Sequence, residues 1–202
     1  MLKFAFAFAL SVAAGSAVAA PQIGAPAPAF TGAASNGETI SLEQFRGENV
    51  VLEWTNHDCP FVRKHYETGN MQATQQTADA AGAVWITIIS SAPGKQGYVS
   101  AEEANALTAS RAAEPDYVVL DPSGEIGMAY AAKTTPHMFV IDKAGTLRYD
   151  GAIDDKPSAN HATVEGATNY LLAALDSVVA GEEVAVTRTK PYGCSVKYGN
   201  EN

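Results

Sequence analysis

The sequence predicts an α/β protein with a central mixed sheet flanked by helices, an N-terminal extension and a C-terminal tail. Four apolar runs, residues 50–54, 84–89, 117–120 and 138–141, have the length and composition of buried strands. Helically patterned stretches separate them, and strands alternating with helices favour parallel pairing. No internal repeat interrupts this order, and the roughly 180 residues beyond the N-terminal segment are one domain's worth, enough to bury a real core.

Each element has its own signal. Lys3 precedes an apolar stretch over residues 4–14, and Ala17-Val18-Ala19 fits a signal-peptidase site. Residues 1–19 are therefore expected to be a signal peptide, too short for comfortable membrane spanning. A retained N-terminal anchor is the alternative. The mature chain is expected to be exported and soluble, periplasmic in a Gram-negative host, a compartment that permits disulfides. Residues 21–34, rich in Pro, Ala and Gly, read as an extended lead-in. Helices are expected over 60 to about 81, 101 to about 112 and 123 to about 131, between the strands. The fourth strand runs through Asp142-Lys143-Ala144-Gly145 into residues 146–149, a hairpin with Gly in its turn. A polar loop, 150–161, leads to a last helix over about 164–180, with Tyr170, Leu171, Leu175 and Val178 as its apolar stripe. The domain is placed at residues 20–181 and the tail at 182–202. The tail carries Cys194, the second of two cysteines.

Composition excludes more than it names. The formal net charge is −9, and no basic cluster is interleaved with aromatics, so nucleic acid is not an expected partner. No phosphate loop, serine-triad pattern or HExxH pattern is present, and no cofactor or resident metal is expected. Trp54, Trp85 and Phe139 read as core or pocket lining.

The chemistry concentrates at Trp54-Thr55-Asn56-His57-Asp58-Cys59-Pro60-Phe61-Val62. Cys59 stands where a strand gives way to a helix. There, unpaired backbone N–H groups and the positive end of the helix dipole favour the thiolate. Pro60 suits the first helical position, where its missing N–H has no partner to lose. Arg63, four residues on, shares a helix face with Cys59 and is expected to favour the thiolate further. His57, Lys64 and His65 add positive charge, and Asp58 opposes it. The plain alternative is that Arg63, Lys64 and His65 form a solvated helix face. Cys194 is the thiol available to resolve a sulfenic acid or mixed disulfide on Cys59. The alternative is a structural staple, in which closing so long a loop contributes on the order of 5 kcal/mol in the chain-entropy model. Glu53 is a carboxylate inside an apolar strand, which is costly without a partner or a task; an edge-strand glutamate facing water is its alternative.

Strand, Cys-Pro at a helix start, later strands, then Thr135-Pro136-His137-Met138-Phe139-Val140-Ile141-Asp142 opening a hairpin: this resembles the thioredoxin fold. The lead-in and insertions resemble its redoxin branch, with the alkyl-hydroperoxide-reductase and thiol-specific-antioxidant relatives. Cys59-Pro60-Phe61-Val62 with Gly193-Cys194-Ser195-Val196-Lys197-Tyr198 resembles a peroxiredoxin-like subgroup. The resemblance implies that Pro136 is cis and faces Cys59, a trans strand-starting proline being the alternative. It implies that Thr135 offers its backbone to an extended substrate, beside Pro60, Phe61 and Arg63. It also implies that Glu53 is a buried acid that moves protons, with its pKa raised by burial. Three positions differ from the relatives: Val62 stands where thioredoxins carry a second cysteine, and Asn56 and Leu52 stand where typical peroxiredoxins carry a threonine and a proline.

These readings converge on an exported thiol–disulfide oxidoreductase. Cys59 attacks a protein disulfide or a hydroperoxide, Cys194 resolves the product, and an external thiol reductant restores the dithiol. A peroxiredoxin-like hydroperoxide reductase is one alternative. A copper-binding protein using Cys59, His57, His137 and Cys194 and a non-catalytic module with a structural disulfide are two others.

Overall fold

The structure, a computed structural model, describes residues 20–199; the expected signal peptide, residues 1–19, lies outside them. The first half of the chain forms β1 (Thr31–Ala34), β2 (Thr39–Ser41), β3 (Asn49–Trp54), α1 (Pro60–Glu67), α2 (Asn70–Ala80) and β4 (Ala83–Ile89). The second half adds α3 (Ala101–Ser110), β5 (Tyr117–Leu120), α4 (Glu125–Ala129), β6 (Thr134–Thr135), β7 (His137–Ile141), β8 (Leu147–Gly151), α5 (Tyr170–Ala180) and β9 (Cys194–Ser195). One seven-stranded sheet runs in the order β2-β1-β5-β4-β3-β7-β8, and β6 pairs with β9 apart from it. The β3–β4 and β4–β5 pairs are parallel and the remaining pairs antiparallel, so the sheet is mixed as the alternation of elements predicts.

Strand periodicity decides which side chains meet. Along β3, Val50, Leu52 and Trp54 point to one face and join Ile86, Ile88, Phe139 and Tyr130. Val51 points to the other and joins Val62, Tyr66, Met71, Trp85, Met138, Leu171 and Leu175. Glu53 alternates with Leu52 and Trp54, so it falls on the α1 face with Val51. Fully burying an aliphatic or aromatic side chain of this size contributes about 1.5–3 kcal/mol. The two faces together therefore fix β3 firmly, and with it the loop that carries Cys59.

Several expected boundaries move, each for a local reason. The helix expected over 60–81 is two helices. Thr68 Oγ1 turns back to the Lys64 carbonyl at 2.7 Å, and Gly69 takes φ +77° before α2 begins. That left-handed value suits glycine. The last helix begins at Tyr170, not near residue 164, because the Asn169 side chain caps it by accepting from the Leu172 N–H at 2.9 Å. The lead-in residues 31–34 are not merely extended. They form β1, joined to β2 and to the edge of β5. The tail beyond α5 is fastened along its length: the Asp150 N–H donates to the Thr187 carbonyl, the Val196 N–H to the Lys133 carbonyl, and the Ala92 N–H to the Lys197 carbonyl. Among the described residues, no helix is long and apolar enough to cross a membrane.

Candidate active site

Cys59 is the N-cap residue of α1, with Pro60 at the first helical position. Its carbonyl accepts the Arg63 N–H at 2.9 Å, the first bond of the helix. The side chain is completely covered. Across from it runs Thr135-Pro136, whose peptide bond is cis. Cys59 Sγ lies 3.0 Å from the Thr135 carbonyl, to which the thiol donates.

The second thiol is already present. Strand β9 pairs antiparallel with β6 so that Cys194 faces Thr135, and the Cys194 N–H donates to Cys59 Sγ at 3.4 Å. Both cysteines are free thiols in the structure. Gly193 makes this approach feasible: a Cβ there would stand 2.0 Å from the Thr135 carbonyl oxygen, and its φ is +141°. The two sulfurs are electrostatically unequal. For Cys59, burial opposes ionisation, but the polar groups around the sulfur, first the Cys194 thiol and N–H, then Thr135 and the Val62 N–H, prevail and lower its pKa. The Sγ–H to Thr135 carbonyl bond works the other way, since deprotonation forfeits it. For Cys194, burial, the Cys59 sulfur as hydrogen-bond partner and the Cys59 charge push the pKa up to about 11. Cys59 is thus the sulfur favoured as thiolate and Cys194 the one favoured as thiol.

The Redoxin family model matches residues 22–171. The chain belongs to the Redoxin family. No curated protein matches this redoxin. Among solved structures it is similar to an uncharacterized conserved protein from Geobacillus kaustophilus, with a TM-score of 0.77, 23% identity, and coverage of 90% of this chain and 94% of that one. A hypothetical protein from Sinorhizobium meliloti gives a TM-score of 0.75 and 22% identity over 90% of this chain and 97% of the other. The thioredoxin domain of a thiol-disulfide oxidoreductase from Bacteroides vulgatus gives 0.51 and 22% over 71% of this chain and 96% of that one. The fold is thioredoxin-like.

Glu53 of this redoxin is fully buried under α1. The Tyr66 hydroxyl lies 3.0 Å from both carboxylate oxygens. Trp85 Nε1 donates at 3.2 Å and Thr87 Oγ1 at 3.1 Å. Burial raises its pKa, against the Arg111 charge and the three donors. The water-facing alternative for Glu53 is ruled out by this burial, and its hydrogen bonds go to Tyr66, Trp85 and Thr87 with none to Cys59.

Lys64 and His65 do not form the solvated face. Both are buried without exposure, because α1 presents them to Asp154 and to Tyr192 of the tail. Arg63 alone faces water: its Nε pairs with Glu67 Oε1 at 2.7 Å. The cation expected beside the thiolate is therefore engaged on the surface of α1. Phe61 is half-buried and packs edge-on against Tyr192, the ring centroids 5.8 Å apart. His57 lies against Asp58, Nε2 to Oδ1 at 3.4 Å. His137 is buried with both ring nitrogens engaged, Nε2 with Asp150 at 2.8 Å and Nδ1 with the Lys133 N–H at 3.3 Å. Those contacts leave His137 no lone pair for the copper set, and among the described residues no three His, Cys, Asp or Glu side chains are grouped to hold a metal. A cavity of about 580 Å³ is lined by Lys133, His137, Asp150, Arg188 and Lys190, with Cys59 absent from its wall. Sequence reasoning missed Tyr192 and Asp154: Tyr192 meets His65 from 127 residues away, and Asp154 reaches Lys64 and His65 from outside α1.

Proposed function

We propose that this redoxin is an exported thiol–disulfide oxidoreductase in which Cys59 is the attacking sulfur and Cys194 the resolving one. The observation that carries the reading is the Cys194 N–H on Cys59 Sγ, with opposite pKa directions for the two thiols. The Cys59 thiolate attacks one sulfur of a substrate disulfide. A Cys59–substrate disulfide forms and the other substrate sulfur leaves as a thiolate, which takes up a proton. Cys194 loses its proton to water and attacks Cys59 Sγ. The Cys59–Cys194 bond forms, and the second substrate thiolate departs. Two electrons have passed from the dithiol to the substrate, and an external thiol reductant must return them.

Disulfide substrates are favoured over hydroperoxides by Asn56. By sequence position it stands where the peroxiredoxin threonine would, but its side chain accepts from the Asp58 N–H and donates to the Gln96 carbonyl and makes no hydrogen bond to the sulfur. Glu53 is assigned as a proton reservoir under α1, supported by its raised pKa and its hydrogen-bonded seat. The expected signal peptide and the two cysteines support an exported location.

The test is turnover of a protein disulfide and of hydrogen peroxide by the reduced protein and by Cys59→Ser. Loss of disulfide exchange in Cys59→Ser supports the reading. Unchanged exchange sinks it. Peroxide reduction far faster than by a free thiol would move the assignment to a hydroperoxide reductase.

A further inference from the structure

What covers Cys59 is a short bridge of the chain's own tail, fastened at both ends. Upstream, the Thr189 N–H donates to the Asp150 carbonyl at 3.2 Å, and Thr189 Oγ1 accepts from the Ala152 N–H at 2.8 Å. Gly151 lets the tail lie this close, since a Cβ there would stand 2.1 Å from Thr189 Oγ1. Downstream, Val196 is buried and the Tyr198 hydroxyl donates to the Ala132 carbonyl at 2.8 Å. Residues 190–195 span the mouth between these anchors.

The middle of the bridge has its own fastening. Tyr192, two residues before Cys194, puts its hydroxyl among Lys64, His65 and Asp154, all three buried. Lys64 Nζ donates to the phenol oxygen at 3.2 Å. His65 Nε2 lies 3.1 Å from it, and the Asn70 amide at 2.7 Å from Nδ1 fixes the proton on Nε2, so His65 also donates. The phenol donates in turn to Asp154 Oδ1. Its one proton and both lone pairs are used. Withdrawing the phenol would leave Asp154 without that donor and Lys64 without that acceptor, in a place closed to water, a configuration proteins avoid. The bridge therefore has one strongly preferred seat. In it, Cys194 sits beside Cys59.

We propose that Tyr192 is a positioning residue for the resolving step, its hydroxyl seating the bridge in the Lys64–His65–Asp154 cluster so that Cys194 is presented to the Cys59 adduct. This rests on the reading that Cys59 attacks and Cys194 resolves. In that step Cys194 Sγ bonds to Cys59 Sγ, the Cys59–substrate bond breaks, the substrate leaves as thiolate, and the Cys194 proton goes to water. The Tyr192 hydroxyl bonds to Lys64, His65 and Asp154 and to neither sulfur. It sets where Cys194 is when the adduct forms.

The probe is one equivalent of an aromatic disulfide whose released thiolate absorbs visible light, mixed with the reduced protein. The first thiolate reports attack by Cys59 and the second reports resolution by Cys194. Tyr192→Phe keeps the ring against Phe61 and removes only the hydroxyl. It is expected to lower the ratio of second to first rate about tenfold or more. Gly193→Ala, which disturbs the bridge without touching the cluster, is expected to lower the same ratio. A second phase that persists in Cys194→Ser overturns the underlying reading. If that phase vanishes in Cys194→Ser yet keeps its ratio in Tyr192→Phe, the positioning role alone is overturned. Tyr192→Phe slowing both phases equally, with a lower urea midpoint, also overturns it and leaves Tyr192 a packing residue.

Discussion

Two buried carboxylates flank α1, and they are held in opposite ways. Glu53 sits between the sheet and the helix among neutral donors, Tyr66, Trp85 and Thr87, all from the domain itself. Asp154 sits against a buried lysine and histidine, and one of its hydrogen bonds comes from the tail. Burial without a contacting cation favours the neutral acid, which is why the Glu53 pKa rises. Among the described residues Asp154 is the one carboxylate contacting Lys64 Nζ, at 3.6 Å, and its attraction opposes the burial that lowers the lysine pKa. One carboxylate is thus able to hold a proton, and the other is a socket whose completeness depends on where the tail lies. A fold can bury two acids within one helix of each other and give them different surroundings, because burial makes a charge costly and the partners decide how far that cost is offset.

That contrast can be broken, and the largest effect is expected at Asp154. Replacing it with Ala leaves the buried Lys64 ammonium, among the described residues, with the Lys156 carbonyl and the Tyr192 hydroxyl as its hydrogen-bond partners. The expected loss is about 3–5 kcal/mol of unfolding free energy at pH 7, measured by urea denaturation. A loss no larger than that of a surface substitution would mean that Lys64 is neutral in the folded state and the socket is uncharged.

The next effect is the acid sensitivity of the same cluster. Burial, then the neighbouring Lys64 charge, bring the His65 pKa down to about 4, against the pull of Asp154. Below pH 6.5 the unfolded imidazole binds a proton that the folded one refuses. Stability contributed by this site is therefore full above pH 6.5 and falls as the pH drops towards 4, by about 3 kcal/mol across the window. His65→Gln should remove that slope, so the difference in urea midpoint between wild type and variant should shift between pH 7 and pH 4.5. A constant difference would show that His65 titrates normally in the fold.

The smallest effect, of opposite sign, belongs to Glu53. Above pH 4.5 the unfolded carboxyl gives up a proton that the folded one retains. The wild type therefore loses stability as the pH rises through the raised folded pKa. Glu53→Gln cannot titrate, so its stability relative to wild type should climb from pH 5 to pH 8. A flat difference would mean that Glu53 is ionised throughout, and a proton reservoir beneath α1 would have to be given up.

Much of the fold was legible because strands and helices announce themselves locally. The buried runs at 50–54, 84–89, 117–120 and 138–141 fall on β3, β4, β5 and β7. The two helices where one was expected differ by a single left-handed glycine, a signal present in the sequence and outweighed by helical patterning on either side. The short β1 was hidden in residues that carry no periodicity, Thr31-Gly32-Ala33-Ala34. It exists because the edge of β5 offers it backbone partners.

The site divides along the same line. The sequence by itself placed Cys59 at a helix start before a proline and marked Glu53 as a carboxylate out of place. These are facts of neighbouring residues, governed by dipoles and periodicity that act within a few ångströms along the chain. Only the tertiary structure decided that Lys64 and His65 are buried while Arg63 is exposed. The three adjacent positions on α1 are sorted by what packs against each face, and Asp154 and Tyr192 arrive there from other elements. It also decided that the tail is a fastened bridge, since hydrogen bonds between residues 134–135 and 194–195 form only when the intervening chain has folded back.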